Sequence, residues 1–148
     1  MFTVNDLAKL IGFVDDSMLS QLQVTRFDAD CFESPSSEKS IIASRGAKID
    51  FANAASFWLI ALRADDWSRR EQYFVPYAMS ALCREITSED VYQIISERTY
   101  DLRRDIPAFL NPGRRPLAAQ LMYNDWDDVA FVVDYGPEFA TFHWETTA

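Results

Sequence analysis

Residues 124–148 read NDWDDVAFVVDYGPEFATFHWETTA, and their period decides what the chain can build. In DVAFVVD, Val129, Phe131 and Val133 fall on one side of an extended chain, and Ala130 and Val132 on the other. Successive side chains of a strand point to opposite faces, so both faces of this strand are expected to be at least partly covered. In FATFHWETT, Ala140, Phe142 and Trp144 alternate with Thr141, His143 and Glu145. The two runs are joined across Tyr135-Gly136-Pro137-Glu138, a loop length common in hairpins. A hairpin alone is marginal in water, so helices or a third strand must pack on it.

Upstream of this hairpin the sequence reads mainly as helix. TSEDVYQIISERTYDL gives the most secure helix: Thr87 stands three residues before Asp90 in capping-box spacing, and Val91, Ile94 and Ile95 line one face. FANAASFWLIALRA is apolar nearly all round, which predicts a buried central helix starting near Asp50 or Asn53. Ser68 and Glu71 repeat the capping-box spacing, and the helix after them is expected to run towards Arg84-Glu85 with a kink or break at Pro76. Near the N-terminus, Asn5 can cap a short helix through Ala8, Leu10 and Ile11, and Asp15 or Asp16 a second through Met18, Leu19 and Leu22. Pro116 suits the first position of another short helix, PLAAQLMYN. SIIASRGAKIDF is ambiguous, with Arg45-Gly46 a candidate turn between short strands, and ESPSSEKS (33–40) reads as a surface loop. The expectation is a single α+β domain over residues 1–148. It is helix-dominated, with about five to six helices and a C-terminal antiparallel hairpin, extended at most by one or two strands near residues 40–50.

The chain has 148 residues, about half of them hydrophobic, enough for a core without staples. Cys31 and Cys83 are too few for a disulfide framework and lack zinc-site spacing. No secretory signal is visible, and the most apolar run is too short to span a bilayer, so a cytoplasmic protein with reduced thiols is expected. A net charge of −9 disfavours direct nucleic-acid binding and suits a basic partner, and no membrane partner is expected. Five arginines (98, 103, 104, 114 and 115) precede a segment, Pro116 to Ala148, with six acids and no Lys or Arg. These halves can pair within the molecule, at about 0–1 kcal/mol for each exposed pair.

No phosphate loop, HExxH, paired CxxC, GxSxG or EF-hand loop is present, and no cofactor is expected. His143 is the only histidine, so any imidazole chemistry must use it, with Cys31 or Cys83 as nucleophile and Asp127 or Asp128 as orienting group. A buried strand histidine is the simpler reading, and one histidine gives little basis for a transition-metal site. Asp125, Asp127 and Asp128 can ligate a hard cation only if Asp125 belongs to a turn; capping of a turn is the simpler role, as it is for Asp65-Asp66. No catalytic or metal residue is therefore assigned. Trp126, Asp127, Asp128, Tyr135, Glu138 and Trp144 form the candidate docking set, aromatic residues with charge around them. In outline the chain resembles the immunity proteins of bacterial toxin–immunity systems, which are small, often acidic and diverse in sequence. That resemblance implies occlusion of a basic toxin or effector, such as a nuclease or nucleotide-consuming enzyme, by acids standing in for phosphates. A secretion chaperone or adaptor, and a small hydrolase or transferase using His143, are the other classes considered.

Overall fold

In the computed structural model, which describes residues 1–34, 38–65, 71–111 and 113–147, the hairpin expected at the C-terminus is the middle of a larger sheet. Six antiparallel strands lie in the order β1-β2-β6-β5-β4-β3. They are β1 (Gln23–Phe27), β2 (Lys39–Ala47), β3 (Arg84–Glu85), β4 (Ala118–Asp125), β5 (Asp128–Asp134) and β6 (Glu138–Thr146). The helices are α1 (Val4–Leu10), α2 (Ala54–Leu62), α3 (Glu71–Met79) and α4 (Ser88–Thr99), with short 3₁₀ turns between elements. The helix-dominated expectation is thus corrected to a mixed α+β fold whose core is the sheet.

Three local readings account for the difference. PLAAQLMYN is not a helix: residues 118–125 are β4, hydrogen-bonded to β5 and β3. Ala, Gln, Leu and Met favour helix in isolation, yet this segment buries Ala119 through Tyr123 on both sheet faces, and packing overrides propensity. Arg45-Gly46 is not a turn either. One strand, β2, runs through both residues and pairs along its length with β6, Arg45 opposite Ala140 and Gly46 opposite Phe139. Glycine is needed at 46 because a Cβ there would stand 2.6 Å from the Phe51 ring and 3.1 Å from that of Phe57. The third miss, β1, pairs with β2 at the sheet edge.

Several helix ends follow the sequence. Thr87 and Asp90 complete a reciprocal capping box on α4, and Asn53 caps α2 by accepting from Ser56 N–H. At the N-terminus the cap is Thr3, boxed with Asp6, in place of Asn5. Asp15 caps a 3₁₀ helix, Asp16–Gln21. α3 continues through Pro76 but stops at Met79, and Arg84-Glu85 form β3. Ser68, Asp66 and residues 35–37 of the expected surface loop lie outside the described residues.

The sheet is covered on both sides. Ala130, Val132, Met122 and Phe139 pack with α1, α2 and α3. Val129, Phe131, Val133, Phe142 and Trp144 pack with Val91 and Ile95 of α4 and with Phe27, Phe32, Phe109 and Leu110. Arg63 at the end of α2 is buried and grips Asp16 with Nε and Nη2 at 2.9 and 2.7 Å, tying the N-terminal segment to this first layer.

Gly46→Val is expected to lower stability by about 1–3 kcal/mol through overpacking against Phe51 and Phe57. Urea unfolding measures this, and an unchanged midpoint would mean that residue 46 sits in open space.

Candidate functional site

β6 is paired to β2 on one edge and to β5 on the other, and Phe139 through Trp144 are all buried. Its alternation, read correctly from the sequence, sends Phe142 towards α4 and His143 towards the face carrying α2 and α3. On β5, Asp128 lies directly opposite Glu145, and Ala130 opposite His143. Register therefore brings Asp128, His143 and Glu145 to one patch of one face. Two carboxylates directly opposite each other repel and need a cation between them.

His143 supplies it. Its Nε2 lies 2.7 Å from Asp128 Oδ1 and 3.0 Å from Glu145 Oε1. Tyr77, on α3, donates from its hydroxyl to Asp128 Oδ2 at 2.5 Å and lies 3.1 Å from the same imidazole nitrogen. Tyr123, on β4, stacks on Tyr77 with ring centroids 4.2 Å apart and donates to the Tyr77 carbonyl at 2.7 Å. Both tyrosine rings lie nearly parallel to the imidazole, at 6.2 Å. Burial by itself would pull the imidazole pKa down. The hydrogen bonds and charges of Asp128 and Glu145 outweigh it and raise the pKa to about 9. Burial, reinforced by the Asp128 charge, holds the Tyr77 and Tyr123 phenols far above their usual range, so both remain donors.

This chemistry does not suit general-base catalysis. A histidine charged at neutral pH has no free lone pair to accept a proton. The space beside it, lined by Trp58, Leu62, Asp65, Thr141 and His143, is only about 10 Å³, room for roughly one water molecule. Neither cysteine is among the described partners of the ring. Cys31 packs on the α4 side, with Sγ 3.8 Å from Arg104, and Cys83 packs against the first layer, where burial pushes its thiol up to about 11. Asp128 is the one residue of the Cys–His–Asp scheme that the structure brings to His143.

The docking set is spread over two ends of the sheet. Trp126 and Asp127 form the two-residue turn between β4 and β5, with Asp125 paired to Asp128 at its base. Trp126 is 72% exposed, and the Asp127 carbonyl accepts from Thr146 N–H at 3.0 Å. Tyr135 and Glu138 lie at the far end of the β5–β6 hairpin. Tyr135 is buried under the Arg114 guanidinium, which also pairs with Glu138. Trp144 is buried on the α4 face beneath Arg98. Asp65 is half-buried, and Asp66 lies outside the described residues.

Tyr77, Tyr123 and Glu145 were not singled out from sequence. The spacing of His143 and Glu145, two apart on a strand, was a usable signal for Glu145. Nothing local pointed to the tyrosines.

No protein-family model matches the chain, and no curated protein and no solved structure matches it either.

The raised imidazole pKa fixes the sign of a pH effect. The His143 contribution to stability is fully present below about 6.5, where the unfolded imidazole is also charged, and is lost as pH rises through about 9. Asp128→Asn is expected to cost about 3–5 kcal/mol at neutral pH and to shift the alkaline loss to lower pH. Chemical unfolding across pH 6 to 10 checks both, and a flat profile in the native protein would contradict them.

Proposed function

We propose that this chain is a small acidic binding protein that neutralises or regulates a basic protein partner, with the tip of the β4–β5 hairpin as its point of contact. One observation carries the reading. Trp126, a large aromatic residue of the type that dominates binding energy at interfaces, projects into solvent between Asp125 and Asp127. Its base is fixed, because Asp125 and Asp128 close the ladder and the Asp128 carboxylate is held by Tyr77 and His143. Little ordering is then needed on binding.

The distribution of positive charge supports the same reading. Arg45, Arg63, Arg98, Arg104 and Arg114 lie over the molecule's own aromatic rings. Lys39 and Lys48 are paired with Asp101 and Asp134. Much of the basic charge is thus bound internally, while Asp125 remains exposed beside Trp126. Such a surface suits a cationic cleft that handles phosphates, as in a nuclease or nucleotide-consuming toxin, and the mode of action resembles that of an immunity protein. His143 gives no support to the hydrolase alternative, for the reasons of charge and space above. No described helix is long and apolar enough to cross a membrane.

The test begins with capture of the partner from the native host, its identification, and titration with the purified chain. Trp126→Ala is expected to weaken binding by about 2 kcal/mol or more without changing stability. Charge reversal at Asp125 and Asp127 is expected to slow association and flatten its salt dependence. A captured partner bound equally tightly by all these variants would overturn this surface.

A further inference from the structure

The cluster that holds the hairpin has a second property. Asp128, His143 and Glu145 each present one donor atom, and all three atoms lie within 4.8 Å of one another. An imidazolium Nε2 carries a single N–H, so it makes one straight hydrogen bond. Here both carboxylates converge on that nitrogen, at 2.7 and 3.0 Å, and one of them is left with an off-axis share. A metal ion satisfies all three donors together. Ligands bound at about 2.0–2.2 Å stand about 2.8–3.1 Å apart at octahedral angles and about 3.3–3.6 Å apart at tetrahedral ones. Glu145 already has the octahedral separation from Nε2, and Asp128, at 2.7 Å, lies just inside it.

We propose that Asp128, His143 and Glu145 form a binding site for a divalent transition-metal ion of the zinc class, with the ion in the place of the Nε2 proton. The donor set decides the class. One imidazole nitrogen with two carboxylate oxygens suits zinc, iron or manganese, whereas magnesium and calcium take all-oxygen shells. One neighbouring group matches the supports metal ligands receive: the Tyr77 hydroxyl holds the second oxygen of Asp128. Access is available on the Glu145 side, whose side chain is 33% exposed, against 9% for His143. Three protein ligands leave coordination positions open there. A single histidine suffices because the strand register, with Asp128 opposite Glu145 and Glu145 two residues from His143, supplies the remaining charge. The inference does not rest on the docking reading, although Asp128, one of the three ligands, also closes the base of the tip.

The experiment is isothermal titration of the full, chelator-stripped chain with zinc alone, repeated with manganese and magnesium. Saturable binding of one zinc per chain is expected, weaker manganese binding, and no magnesium binding. Glu145→Gln, at the partly exposed ligand, is expected to keep the native circular-dichroism spectrum and to lose about ten- to a hundredfold in zinc affinity. Asp128→Asn should lose at least as much. The double variant Cys31→Ser/Cys83→Ser should bind as the native chain does, and the cobalt-substituted protein should show ligand-field bands without a thiolate charge-transfer band. Absence of saturable zinc binding overturns the proposal. So does binding that survives Glu145→Gln and disappears in the double cysteine variant.

Discussion

β6 carries the constraint on which the rest of the molecule depends. It is hydrogen-bonded along both edges and covered on both faces, so a polar side chain at its centre must find every partner within the protein. His143 sits in that position. Its Nε2 meets Asp128 and Glu145, placing one positive charge between two acids that register has set opposite each other, and it fixes the first residue of β5. α3 reaches the same point through Tyr77, so the helical layer and the sheet are joined by polar contacts as well as by apolar packing. Removing one member exposes the others to an unpaired buried charge, a larger effect than loss of a single surface pair.

What was legible in the sequence was local. Alternation over the two terminal runs marks both strands, and over Asp128–Asp134 also the cover on both faces, and Thr87 with Asp90 marks the start of α4. Residues 118–125 were not legible, because a strand buried on both faces loses its alternation, and Ala, Gln, Leu and Met read as helix until β3 and β5 are in place. Gly46 reads as a turn for the same kind of reason: its need for space comes from Phe51 and Phe57, on other elements. Without β1, β2, β3 and β4, a sheet of six strands looks like a hairpin beside helices.

The candidate site divides along the same line. Proximity in sequence placed Trp126, Asp127 and Asp128 together correctly, and it also gathered Tyr135 and Glu138, which the length of β5 carries to the opposite end. Strand parity separates Trp144 from His143, its neighbour in sequence, by the thickness of the sheet. The acidic character of the terminal segment likewise has two parts. Glu138 is paired with Arg114, and Asp128 and Glu145 meet at His143, whereas Asp125 stays exposed beside Trp126. The exposed tip and the cluster that anchors it thus share one strand boundary, at Asp128.

The central claim is the charged, doubly paired state of His143 in the metal-free protein. The ¹⁵N chemical shifts of its two ring nitrogens, read by long-range proton–nitrogen correlation at neutral pH, test it most directly. Two protonated nitrogens, with a slowly exchanging Nε2–H that is lost from the spectrum of Asp128→Asn, are predicted. A neutral ring with one bare nitrogen in the native, metal-free protein would contradict the account.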